Sequence, residues 1–126
     1  MLKILIVDDS KMLRTLFIRS LEGTDAVVEG WEPEEVLQIQ PKILEFKPDL
    51  LFLDFNMPTC NGITFARLAR TTHPKMKIIL ISASHDPDLF RHTEKGLVDD
   101  VVFKPISKAM LLELVARHAP QGDAGA

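Results

Sequence analysis

An α/β fold, one open parallel sheet with helices on both faces, is what this sequence predicts, and three observations lead there. Three short apolar runs, Ile4–Val7, Leu50–Leu53 and Ile78–Ile81, are continuous rather than alternating, as befits strands covered on both faces. Stretches with helical spacing of apolar residues separate them. The 126 residues suffice for one hydrophobic core and not for two.

The elements follow in order. After the strand at Ile4–Val7, Leu13, Leu16, Phe17 and Leu21 keep the spacing of one buried helical face. Ala26–Val28 is a weaker strand candidate. From Pro33 to Phe46 a stripe of Val36, Ile39, Ile43 and Phe46 predicts a helix, kinked or broken at Pro41, which lacks the N–H of an interior helical residue. Beyond the strand at Leu50–Leu53, a helix from Gly62 to Arg70 is closed by His73-Pro74. After Ile78–Ile81, Asp86-Pro87-Asp88 offers an N-cap, a first-position proline and an acidic first turn, and Gly96 ends that helix. Val101–Phe103 is the fifth strand. Ser107 caps a last helix whose apolar face is Leu111, Leu114, Val115 and His118. The domain is expected to span 1–119, with 120–126 a small, polar, flexible tail.

Composition excludes several classes. At 46% hydrophobic and 26% charged residues the chain is globular rather than disordered. A net charge of −3 argues against a nucleic-acid surface, which is normally basic. The single cysteine, Cys60, cannot pair internally, so nothing points to an oxidising compartment. No apolar run approaches the ~20 residues that span a bilayer, and no leader precedes the first strand; a cytoplasmic protein without membrane contact is expected. His73, His85, His92 and His118 lack metal-ligand spacing and are expected at solvated surface.

Right-handed crossovers place the carboxyl ends of all parallel strands along one edge, where such sheets bind ligands. Asp8-Asp9 follow the first strand there, Asp54 follows the third, Ser82 ends the fourth and Lys104 ends the fifth. Singly, each has an ordinary use: Asp9 or Ser10 as a helix cap, Asp54 in a turn, Ser82 in a loop, Lys104 in water. Together, at matching strand ends, they suit phosphoryl transfer to a carboxylate. Clustered carboxylates repel and call for a cation. Mg²⁺ fits because it takes oxygen ligands and commonly binds one or two carboxylates plus a phosphate. An aspartate can be the nucleophile, and a lysine can offset the charge of the incoming group.

On these residues the chain resembles a response-regulator receiver domain of two-component signalling, over residues 2–118. Val7-Asp8-Asp9-Ser10 resembles the acidic pair, Asp54-Phe55-Asn56-Met57-Pro58 with Asn61-Gly62 the phosphoacceptor segment, Ile81-Ser82-Ala83 the switch hydroxyl, and Lys104-Pro105 the lysine–proline step. The resemblance implies the flavodoxin-like strand order 2-1-3-4-5, also that of chemotaxis receivers. It implies phosphorylation on Asp54, a Mg²⁺ site from Asp8, Asp9, Asp54 and the backbone carbonyl of Asn56, with Asp9 the direct ligand of the pair. Ser82 and Lys104 would assist the transfer, and the Lys104-Pro105 bond would be cis. Two features depart from the pattern. Val101 stands where the family often has an aromatic residue, three before the lysine. Val36–Asp49 is longer than usual by about one helical turn, ~3–4 residues.

The implied function is a phosphorylation-controlled signalling module rather than an enzyme acting on other substrates. Its donor would be a sensor histidine kinase or a histidine phosphotransfer protein, and its target an unidentified downstream protein. One alternative is a constitutive scaffold of the same fold; degenerate receivers typically lose an acidic residue or the lysine, and this chain keeps them. A haloacid-dehalogenase-type phosphatase fits poorly, because Asn56 stands where its second aspartate would be.

Overall fold

The computed structural model describes residues 2–57 and 61–119; Pro58, Cys60 and the expected tail lie outside them. Five strands and five helices alternate: β1 (Lys3–Val7), α1 (Lys11–Ser20), β2 (Val27–Trp31), α2 (Ile39–Phe46), β3 (Leu50–Asp54), α3 (Gly62–Thr72), β4 (Lys77–Ser82), α4 (Arg91–Glu94), β5 (Asp100–Phe103) and α5 (Lys108–His118). All strand pairs are parallel, in the order β2-β1-β3-β4-β5. This is the doubly wound, flavodoxin-like arrangement expected from the sequence.

Strand alternation divides the core in two. Leu5, Val7, Leu51, Leu53, Ile78 and Leu80 pack under α2 and α3, against Ile39, Ile43, Phe65, Ala66 and Ala69. Ile4, Ile6, Leu50, Phe52, Ile79 and Ile81 face α1 and α5 through Phe17, Leu21, Leu111 and Leu114. The three central strands are thus apolar on both sides, which is why their sequences run unbroken. Phe17 meets Phe52 edge-on at 5.2 Å between ring centres, a favoured aromatic geometry.

The predicted caps are made. Ser10 Oγ accepts from the Leu13 N–H and Ser107 Oγ from that of Met110, while Asp86 Oδ1 accepts from the Asp88 N–H at the head of a 3₁₀ turn, Pro87–Phe90, that precedes the short α4. Gly96 adopts φ +77°, a left-handed conformation that suits glycine at a helix end.

Four expectations need correction. Leu16 is 41% exposed and outside the buried face, because it is turned by ~100° from Phe17 about the helix axis; Ser20 takes the inward place instead. The second strand runs to Trp31, since pairing with all of β1 carries it through Glu29 and Gly30, and an edge strand tolerates polar residues. The break expected at Pro41 falls before it, between Gln38 and Ile39. A 3₁₀ turn at Val36–Gln38 ends before it, and Pro41 becomes the third residue of the helix, where an N–H has no intrahelical partner. Finally, the histidines are not uniformly solvated: His118 is half-buried against Asp100 at 3.0 Å, and exposed His85 stacks on Phe103.

The revised α1 face gives an expected contrast. Phe52→Ala should lower stability by about 3–5 kcal/mol, and Leu16→Ala by less than about 1 kcal/mol. Urea unfolding measures both; equal losses would contradict this packing.

Candidate functional site

Register sets the site. Val7 pairs with Leu53, so Asp8 and Asp54 come level on adjacent strands. Asp54 pairs with Ile81, and Ser82 with Phe103, so Ser82 and then Lys104 follow one step further along the same edge. All five side chains predicted at this rim are brought to it, Asp8 and Asp9 from the start of the loop after β1.

The carboxylates are close and mostly buried. One oxygen from each of Asp8, Asp9 and Asp54 lies within 4.8 Å of the others. Asp8 is fully buried, Asp54 is 1% exposed, and Asp9 is exposed. Asp8 Oδ1 accepts from the Ser10 N–H at 2.7 Å, and Asp54 Oδ1 from the Asn56 N–H at 3.1 Å. Lys104 Nζ stands 3.7 Å from both Asp8 Oδ2 and Asp54 Oδ1, too long for direct hydrogen bonds. Asp8 Oδ2 is buried with no hydrogen-bond partner among the described residues. A buried carboxylate oxygen in that condition is costly, and a hard cation is the partner suited to it. The donor set therefore fits Mg²⁺.

Burial pushes the Asp8 carboxyl from an ordinary 3.8 up to about 6; the Ser10 N–H and Lys104 oppose the rise, while Asp54 and Asp9 add to it. Asp54 moves the same way, again chiefly through burial, with the Asn56 N–H and Lys104 opposing.

Ser82 is fully buried and its hydroxyl is engaged within its own loop. Oγ accepts from the Ser84 N–H at 3.0 Å and donates to the Ser84 carbonyl at 3.0 Å, with Asn56 Oδ1 3.4 Å away. Lys104-Pro105 is cis, as the resemblance implied. Two contributors were not legible as such. Ser84 has no signature beyond being a loop residue. Gly62 was visible only as part of a motif, yet a Cβ there would lie 2.7 Å from Phe55 Cα and 2.8 Å from the Asp54 carbonyl. The start of α3 thus presses directly on the Asp54–Phe55 backbone, closed by the Gly62 N–H to the Phe55 carbonyl at 3.3 Å.

The raised Asp8 pKa has a stability consequence. Between 3.8 and about 6 the folded chain holds a proton that the unfolded chain has lost, so stability falls as pH rises through this window. In metal-free buffer Asp8→Asn is expected to stabilise the protein at pH 7 by up to about 3 kcal/mol, and to have less effect at pH 4.5. Urea unfolding at the two pH values, with a chelator present, tests this; an Asp8→Asn protein less stable than wild type at pH 7 would refute it.

Comparison with known proteins agrees with the geometry. Residues 4–116 match the family model of the response regulator receiver domain. The chemotaxis protein CheY of Listeria monocytogenes is 31% identical over 119 residues, covering 94% of this chain and 99% of its own. A protein-glutamate methylesterase/protein-glutamine glutaminase of Anaeromyxobacter dehalogenans is 35% identical over 100 residues, which are 79% of this chain and only 29% of that protein. Among solved structures, a CheY-like receiver domain protein from Methanospirillum hungatei JF-1 superposes with a TM-score of 0.84 at 21% identity, covering 100% of this chain and 99% of its own, a likeness of fold. No helix among the described residues is long and apolar enough to cross a membrane. With the family's sheet order, acidic strand ends and lysine all in place, the chain belongs to the response regulator receiver domain family.

Proposed function

We propose that this chain is the phosphoacceptor receiver of a two-component system, phosphorylated on Asp54 by a sensor histidine kinase or a histidine phosphotransfer protein. The observation that carries the reading is Asp54, 1% exposed at a strand end, with Lys104 Nζ 3.7 Å from it and equally far from Asp8. A carboxylate oxygen of Asp54 attacks the phosphorus, the bond from phosphorus to the donor nitrogen breaks, and an acyl phosphate forms. Asp8, Asp9, Asp54 and the Asn56 carbonyl would hold Mg²⁺, which when bound neutralises negative charge on the transferring group. Lys104 offsets the added charge, and the Ser82 hydroxyl donates to a phosphoryl oxygen after leaving the Ser84 carbonyl. The reaction belongs to the cytoplasm, where such donors act. Its catalysis is confined to its own phosphorylation and dephosphorylation. The output is altered binding to a downstream protein, with no contact to nucleic acid or membrane. A constitutive scaffold role is disfavoured because the complete acidic cluster and lysine are held together at the site.

The route to the output surface runs through the loop after β4. Val101 is buried and has no ring to turn. Phe103 lies two residues on, stacked on His85 at 4.7 Å and 14° and met edge-on by Phe90 at 5.8 Å. Drawing Ser82 toward a phosphoryl group breaks its bonds to Ser84, and His85 follows Ser84 directly. Movement of the loop therefore disturbs the stack on Phe103 and, through Phe90, the turn leading into α4.

Acetyl phosphate or phosphoramidate with Mg²⁺ is expected to add one phosphoryl group, seen by intact-mass spectrometry, and Asp54→Asn to abolish it. Equal labelling of the two proteins would sink the assignment. In amide NMR, beryllofluoride is expected to shift residues 84–103 as well as the loops at Asp8, Asp54 and Lys104. Shifts confined to those three loops would remove the His85–Phe103 route and leave the phosphorylated edge itself as the signal.

A further inference from the structure

The acidic pair has to be aimed, and the residue that aims it lies one helical turn beyond the cap of α1. Arg14 turns back over the sheet edge so that its Nη1 donates to the backbone carbonyl of Asp8 at 2.6 Å. The same nitrogen lies 3.4 Å from Glu32 Oε1, and the side chain is only 18% exposed. Its aliphatic stem rests on Gly30 of β2, where an added Cβ would come within 3.2 Å of both Arg14 Cβ and Cδ. A side chain at position 30 would crowd the path that Arg14 takes.

The Asp8–Asp9 connection is thus fixed from several directions. The Asp8 N–H donates to the Trp31 carbonyl at 3.2 Å, its carbonyl accepts from Arg14, and its carboxylate accepts from the Ser10 N–H. Asp9 follows directly on the peptide whose carbonyl Arg14 grips, so the orientation of that peptide sets the direction in which Asp9 leaves the chain. An exposed aspartate with no such fixed base would have to be ordered at the moment of binding, at an entropic cost. Glu32 holds the guanidinium at the outer side, leaving Lys104 as the cation facing the carboxylates.

We propose that Arg14, seated on Gly30, is a positioning residue for the divalent-cation site, holding the Asp8–Asp9 peptide in its binding orientation without touching the metal. The inference rests on the Mg²⁺ site of the proposed function. It is separable from a plain packing role for Arg14, because packing is carried by the stem and positioning by the guanidinium.

Arg14→Met keeps a stem on Gly30 and removes the donor. Isothermal titration with Mg²⁺ alone, on the unphosphorylated protein, is expected to show ~10-fold weaker binding than wild type, in the range found when groups supporting metal ligands are removed. Arg14→Lys, which can give one hydrogen bond to the carbonyl, should recover part of the loss, and Asp9→Ala should lose more. Arg117→Ala breaks ion pairs to Asp100 and Glu113 away from the site and controls for general loosening. Urea unfolding in chelator gives the stability of every variant. Wild-type affinity in Arg14→Met would overturn the inference, as would an equal loss of affinity in Arg117→Ala. Should Arg14→Met fail to fold, Arg14→Lys decides: an affinity equal to wild type or below that of Asp9→Ala would overturn the proposal. Failure of wild type itself to bind Mg²⁺ would overturn the proposed metal site first, and this inference with it.

Discussion

Asp8 directly follows strand β1, its carboxylate buried and one oxygen without a hydrogen-bond partner among the described residues. Asp54 is almost as deeply placed one strand away, and Asp9 brings a third carboxylate within reach. Left alone, such a group favours its protonated form, and the raised carboxyl pKa values of Asp8 and Asp54 express that preference. Among the described residues the Ser10 and Asn56 N–H groups and Lys104 oppose it, and these do not cancel the effect of burial. The rest of the molecule can be read as the scaffold that holds this unfavourable arrangement still. A parallel sheet brings the strand ends level, helices on both faces keep water out, and the remaining demand for positive charge is what makes the site receptive to a cation.

The same constraint explains which parts of the scaffold are stiff. Gly62 lets α3 begin against the backbone of Asp54 and Phe55, with no room for a side chain. The Asn61 side chain caps that helix at Ile63, and Asn56 bridges back to Asn61. At the far rim, Arg70 bonds the carbonyls of Leu97, Pro74 and Met76 and the Asp99 carboxylate, which in turn accepts from the Ile78 N–H. That network ties α3, β4 and the approach to β5 together at the edge opposite the carboxylates. Rigidity at both ends of the strands preserves the register on which the site geometry depends.

Much of this was legible in the sequence because it follows from local chemistry. Continuous apolar runs mark β1, β3 and β4, since a strand covered on both faces cannot afford a polar side. Asp8, Asp54, Ser82 and Lys104 could be placed at one edge because strand ends are readable and the handedness of parallel crossovers is fixed. The weaker readings fail where pairing or packing overrides the residues themselves. β2 gains Glu29, Gly30 and Trp31 from the length of its neighbour. Leu16 looks like core until Phe17 fixes the rotation of α1. Pro41 looks like a breaker until the 3₁₀ turn before it moves the helix start. Arg14 leaves no trace in a single sequence, because its meaning lies in a glycine sixteen positions away.

Ser82 shows how the site can be both rigid and poised. Its hydroxyl has one proton, and here that proton has two candidate acceptors, the Ser84 carbonyl at 3.0 Å and Asn56 Oδ1 at 3.4 Å. Both lie within the loops that border Asp54, so under the proposed function a phosphoryl group on Asp54 would compete with bonds that already exist. The change in hydrogen bonding is small in energy, on the order of 1 kcal/mol per exchange, and needs no large rearrangement of the core. What gives it reach is the sequence order Ser82, Ser84, His85: the hydroxyl, its present partner and the stacked ring lie within four residues of chain. Val101 is buried in the core without a ring, and the aromatic contacts lie two residues on at Phe103, where His85 and Phe90 meet it. Under the proposed function, the departure at position 101 would place the coupling at the rim rather than in the interior.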